Sequence, residues 1–196
     1  MISEVDICNF ALNHIAMTTI ASLTEDSNTA RKCNLMYPLA KDATLRSFDW
    51  SFANKVEFLA EIDDTLVGWD YLYARPSDCL FIRKIYSEGS VNTFTPQEDY
   101  KEVKTSTGDR AIATNVATAY IEYTSTVPDT SDFDFNFVET LSYKLASMLA
   151  KSLTGDMDLA NQMELRFINS ISEARRISGS ERRITPNYTS SYVDVR

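Results

Sequence analysis

The sequence predicts an α+β protein, a four-helix bundle made of two helix pairs with a small antiparallel β insertion between them and an extended C-terminal tail. Three observations lead there. Apolar residues recur at spacings of three and four over residues 1–48 and again over 129–179, the period of an amphipathic helix. Between them, over 49–128, the period changes to two and β-branched and aromatic residues dominate, as half-buried strands require. Residues 180–196 follow neither period and carry Pro186 among several Ser and Thr, which marks an extended tail.

Each element has local signals. Ser3 is placed to cap a first helix, with Asp6 three residues on completing a capping box. Val5, Cys8, Leu12 and Ile15 then share one face. After a loop at Leu23–Asn28, Ser27 or Asn28 caps a second helix, which places Cys33, Met36, Tyr37, Ala40, Ala43 and Ser47 on one stripe. Pro38 falls inside that helix and removes one backbone donor, but the apolar period continues on both sides of it. In the β region Trp50 alternates with Phe52, Trp69 with Tyr71 and Tyr73, and Ile121 with Tyr123. Turns are expected at Gly68, Gly89 and Gly108, and mobile loops around 61–68 and 87–99. Asp132 or Asp134 caps a third helix that turns Leu141, Leu145, Met148 and Leu149 inward, and Gly155 closes it. Asp156 caps a fourth helix with Ala160, Met163, Phe167, Ile171 and Ala174 at three-four spacing, and Gly179 is expected to end it.

Composition narrows the function classes. A chain of 196 residues forms one domain, or one with an insertion, and needs no metal or disulfide to hold its core. No apolar run reaches the roughly 18 residues of a membrane span. Glu4 and Asp6 stand where a secretory signal would be basic, so folding in the cytoplasm is expected. Cys8, Cys33 and Cys79 form no CxxC pair and are read as reduced, buried thiols. The formal net charge of −9 argues against a protein that grips nucleic acid. Residues 57–70 hold Glu57, Glu61, Asp63, Asp64 and Asp70 with no Lys or Arg, whereas the last two dozen residues are locally basic.

No constellation of residues in the sequence marks a site of chemistry. His14 is the single histidine and has no Cys or His companion at zinc-ligand spacing. It could pair with Cys8 or Cys33 as nucleophile and base, although Cys8 lies on the core stripe. Asp132-Phe133-Asp134 and Asp156-Met157-Asp158 both precede helices, where aspartate caps free amides more readily than it binds a cation. The five glycines stand too far apart for a phosphate loop. Stacking aromatics such as Trp50, Phe52 and Trp69 have acidic neighbours rather than a basic groove, so they read as core. Asn187-Tyr188-Thr189 is a glycosylation sequon without meaning in a protein that is not secreted. No catalytic residue, cofactor or metal is expected.

Several segments, in order, resemble the head-to-tail adaptor family of short-tailed bacteriophages, also called tail tubular protein A. They are Ser3-Glu4-Val5-Asp6-Ile7-Cys8-Asn9 with Ala11-Leu12; Ile20 to Leu23 with Asp26, Ala30-Arg31, Met36-Tyr37-Pro38, Ala40, Asp42 and Leu45-Arg46; and Asp49-Trp50-Ser51-Phe52-Ala53. Further on come Trp69-Asp70-Tyr71 with Tyr73 and Pro76-Ser77-Asp78-Cys79-Leu80, then Tyr123, Phe137, Leu145-Ala146, Leu153-Thr154-Gly155-Asp156 and Glu173-Ala174-Arg175. The resemblance covers nearly all of 3–178, and Trp50, Phe52, Trp69, Tyr73, Pro76 and Asp78 are its structural motif residues. The chain departs from the family at 15–17, where a glycine is usual after the first helix and Ala16-Met17 stands instead.

The resemblance implies a structural, non-enzymatic subunit of the virion neck, assembled in the host bacterial cytoplasm. Twelve copies would form a ring beneath the portal protein, offer the other face to the tail nozzle protein and pass genomic DNA through the channel without sequence-specific binding. The acid of the chain suits a wall along which phosphate slides. The tail, with Arg182, Arg183, Tyr188 and Tyr192, has the residue types that anchor an interface and is the expected portal contact. Two other classes stay open, a small helical interaction module without a virion role and a Cys/His enzyme.

Overall fold

The structure is a computed structural model that describes residues 2–87, 98–126 and 129–181, with side chains in the last helix described as far as 177. It is α+β, but it is not a four-helix bundle carrying a small β insertion. Helices α1 (Glu4–His14), α2 (Asn28–Ser47), α3 (Phe135–Leu153) and α4 (Met157–Glu181) form one layer, and α3 is its hub, packed against each of the other three. Among the described residues, six strands form two three-stranded antiparallel sheets with a core of their own. The difference has a physical origin. A single three-stranded sheet would leave the apolar face seen in the alternation uncovered, and here two sheets cover each other.

The helix ends follow from short-range chemistry. Ser3 caps α1 and forms a reciprocal capping box with Asp6, and Ser27 caps α2 by accepting the Ala30 amide at 3.1 Å. Asp134 accepts the Phe137 amide at 2.6 Å, and Asp156 accepts that of Leu159 at 2.9 Å. The two Asp-x-Asp units thus each supply a cap, and no group of three or more metal-ligating side chains forms among the described residues. Pro38 sits inside an uninterrupted α2. Gly155 follows α3 at φ +71°, the left-handed position that ends a helix. Gly179 does not end α4, which continues to Glu181; a helical glycine costs only about 1 kcal/mol, less than the rest of a helix can supply.

The departure at 15–17 has a visible consequence. Ala16 takes φ +55°, with its own amide on the Asn13 carbonyl at 3.2 Å and the Met17 amide on that of Leu12 at 3.0 Å. This is the Schellman arrangement, whose left-handed residue is usually glycine because a Cβ there is crowded. Ala16 is exposed, so Ala16→Gly should stabilise the protein by about 0.5–1 kcal/mol in chemical denaturation. A loss of stability would mean that the strain is already relieved elsewhere. Beyond this turn, Asn9 holds both the amide and the carbonyl of Ile20, at 2.9 and 3.0 Å, and ties the following loop to α1.

Strands β1 (Asn54–Phe58), β6 (Ala119–Ser125) and β3 (Cys79–Ser87) make the first sheet, with β6 central. Strands β2 (Tyr71–Ala74), β5 (Arg110–Thr114) and β4 (Tyr100–Lys104) make the second, with β5 central. Tyr73 and Ile112 of the second sheet meet Ile82, Ile85, Ile121 and Tyr123 of the first in one buried cluster. The opposite face of the second sheet buries Leu72, Ala111 and Ala113 beneath Ile62, Leu66 and Trp69. Segment 61–68 is therefore pinned rather than a free loop. The Ile62 amide donates to the Leu72 carbonyl at 2.8 Å, and the Leu66–Trp69 bridge turns at Gly68, φ +91°. Most of the 87–99 connection lies outside the described residues.

Trp50 and Phe52 are not strand residues. Ser51–Ala53 is a short 3₁₀ turn, and both rings enter the helical core, where they pack on Phe137 at 5.1 and 5.0 Å. The Trp50 indole N–H donates to the Thr44 carbonyl at 2.9 Å, which satisfies its one polar atom. No helix among the described residues is long and apolar enough to cross a membrane.

Candidate functional site

The six motif residues are dispersed rather than gathered. Trp50 and Phe52 belong to the helical core, whereas Trp69 and Tyr73 lie on the second sheet and its covering segment. Pro76 and Asp78 form the turn from β2 to β3. Tyr73 donates its hydroxyl to the Val116 carbonyl at 2.8 Å. These are framework roles. Arg182, Arg183, Tyr188 and Tyr192 lie outside the described residues, as does the sequon.

The elements meet at two polar hubs. Asp78 accepts from Lys55 Nζ at 2.6 Å, the Tyr123 hydroxyl at 2.9 Å and the Ser125 hydroxyl at 3.0 Å. Burial works against its ionisation, but the hydrogen bonds from Lys55, Tyr123 and Ser125 and the Lys55 charge outweigh it and hold the carboxyl below its ordinary 3.8. A lowered carboxyl contributes stability that is present above 3.8 and lost as pH falls through the folded value. Asp78→Asn should therefore cost about 1–2 kcal/mol at neutral pH and much less near pH 2. A penalty that is the same at both pH values would show that charge at Asp78 contributes nothing.

The second hub, Arg83 of β3, joins the sheets to the helices. Its Nη2 donates to the carbonyls of Leu45 and Phe48 at 2.9 and 2.5 Å, its Nε donates to Thr124 Oγ1 at 2.8 Å, and its guanidinium lies over the Phe81 ring. It thereby satisfies carbonyls that α2 leaves open at its C-terminal end. Sequence reading missed Arg83. Its one signal was the cation pair Arg83-Lys84 inside the otherwise apolar stretch Cys79–Ile85.

His14 and the cysteines have separate partners. His14 Nε2 is 3.1 Å from Ser142 Oγ, and its ring lies on Tyr143 with centroids 4.6 Å apart. Ser142 Oγ already donates to the Glu139 carbonyl at 2.7 Å, so it accepts from Nε2–H. Burial and Arg166 lower the His14 pKa, so the ring stays neutral. Cys8 and Cys33 lie against each other in the helical core, both fully buried, and that contact with burial drives the Cys8 thiol far up. Cys79 is buried and pushed up to about 11. Cys8 and Cys79 are therefore held as thiols, and a thiol that does not ionise is a poor nucleophile.

Two pairs of large aliphatic side chains stand exposed on the helical surface. Leu35 and Leu39 stand one turn apart on α2, 63% and 59% exposed, with exposed Pro38 beside them. Leu165 and Ile168 form a second exposed aliphatic pair on α4. Both helices pack on α3 through other faces, so these pairs are left over from the core. No family model matches the chain, and no curated protein matches it.

Proposed function

We propose that the protein is a structural head-to-tail adaptor, one of a ring of identical subunits, twelve in the family it resembles, between the portal protein and the tail nozzle protein of a phage virion. The observation that supports this best is the pair of separate aliphatic stripes, Leu35/Leu39 on α2 and Leu165/Ile168 on α4. A ring contact is heterologous, so each subunit needs two different surfaces, one offered to each neighbour. Residues of this type that are not needed for the core are what such surfaces leave exposed in the free subunit.

The acidic balance, −9 over the chain, suits a channel wall that lets genomic DNA slide past. The tail with Arg182, Arg183, Tyr188 and Tyr192 supplies the portal contact. Purified portal rings should retain the protein, and Leu39→Asp or Ile168→Asp should lower retention about tenfold or more while leaving the monomer folded. Portal rings that never retain the wild-type protein, at any salt concentration, would sink the proposal.

A further inference from the structure

The turn joining β2 to β3 and the hairpin joining β4 to β5 enclose a cleft of about 590 Å³. Its walls are fixed by the backbone. The Arg75 amide donates to the Arg110 carbonyl at 3.3 Å and the Cys79 amide to that of Pro76 at 3.1 Å. On the hairpin side, Gly108 turns at φ +94°, and Thr105, Thr107 and Asp109 are linked by hydrogen bonds of 2.8–3.0 Å. The volume falls within the range of small-ligand sites.

Arg75 lies in this cleft almost wholly covered, its side chain 7% exposed. A guanidinium carries five N–H donors, and a covered charge is stable only when it is paired and hydrogen-bonded. Arg75 falls short of that. The Glu102 carboxylate, itself half exposed, is 3.2 Å from Nε but is not aligned to accept its hydrogen. The terminal nitrogens of Arg75 donate to no side chain or carbonyl among the described residues. Arg110, exposed, and the hydroxyls of Ser77, Thr105 and Thr107 also line the cleft.

We infer that this cleft is a docking site for a carboxylate side chain of an acidic peptide segment, held by Arg75 and Arg110. The charge balance selects the ligand. Arg75 and Arg110 line the cleft with a single carboxylate, Asp109, which Thr107 already engages, so the lining itself carries an excess of positive charge. One added carboxylate fits a planar guanidinium fork in bidentate fashion. A dianionic phosphate would instead exceed that excess charge and crowd the Asp109 carboxylate. The site is independent of the ring reading, since it needs only the fold of the single chain.

The test follows the Arg75 side-chain N–H and the Gly108 amide by NMR in the full-length protein. The probes are a capped Gly-Glu-Gly peptide, its Gly-Gln-Gly counterpart, inorganic phosphate and a short oligothymidylate. The Glu peptide should give saturable shifts that the Gln peptide does not, and the exposed Arg110→Ala variant should weaken its binding about tenfold. Equal behaviour of the Glu and Gln peptides overturns the proposal. So does tighter saturation by phosphate or oligothymidylate, and so does unchanged affinity in Arg110→Ala.

Discussion

Phe137→Ala should destabilise the protein by about 3–5 kcal/mol, the largest effect expected of any single substitution here. Phe137 is fully buried in the first turn of α3, next to the Asp134 cap, so its backbone is held before its ring packs. The ring meets Trp50, Phe52 and Phe133 with centroids 5.1, 5.0 and 4.6 Å away, all steeply inclined as edge-to-face contacts are. Truncation removes the ring from water-free surroundings and leaves a cavity walled by rings from two other segments, Trp50 and Phe52 at the 3₁₀ turn and Phe133 before α3. Those walls are anchored by a cap, an indole hydrogen bond and a 3₁₀ turn, so they cannot collapse far. Urea denaturation of the variant against the wild type measures the loss, with exposed Leu165→Ala as a near-neutral control. A loss under about 1 kcal/mol would mean that the aromatic cluster is not what joins α3 to the segment after α2.

Arg83→Ala should cost about 3 kcal/mol, for a different reason. The guanidinium is 15% exposed and serves three acceptors on two elements, so its removal orphans the Leu45 and Phe48 carbonyls and Thr124 together. Burial lowers the Arg83 pKa, opposed by Asp49 and Glu122, so the site holds a charge that water has largely given up. Arg83→Lys is the informative control. An ammonium keeps the charge but cannot span acceptors on both the sheet and the end of α2, so most of the loss should remain. Full recovery by lysine would show that charge, and not the fork of donors, makes the joint. Because Arg83 links helices to sheets, its loss should also weaken amide-exchange protection at the end of α2 more than within β5.

Core and surface substitutions bear on the proposed ring in opposite ways. Phe137 lies deep within one subunit, so its truncation should lower assembly only as far as it lowers folding. The aliphatic pairs on α2 and α4 do the reverse, since their replacement by aspartate leaves the core untouched. A ring subunit must show this separation of stability from association.

Much of the helical half was legible from residues alone. Ser3, Ser27, Asp134 and Asp156 cap their helices because a side-chain oxygen reaches an amide only three residues on, a contact contained within the sequence itself. The inward stripe of α4, from Ala160 to Ala174, is likewise set by helical period. The β half was misread where pairing is remote. Strand β1 joins β6, and β2 joins β5, across long stretches of chain, so alternation marked the strands but could not sort them into two sheets.

Trp50 and Phe52 show the limit most clearly. Their spacing of two fits a strand, and only the helix that packs over them decides that they end α2's side of the core instead. The same holds for the charged groups. Arg75 and Arg83 are unremarkable in sequence, and it is tertiary contact that leaves one under-satisfied in a cleft and the other bound to the end of α2. Local hydrogen bonds and periodicity determined the helices of this protein from sequence. The partners of its strands and buried charges depend on residues far along the chain, and only the folded arrangement decided them.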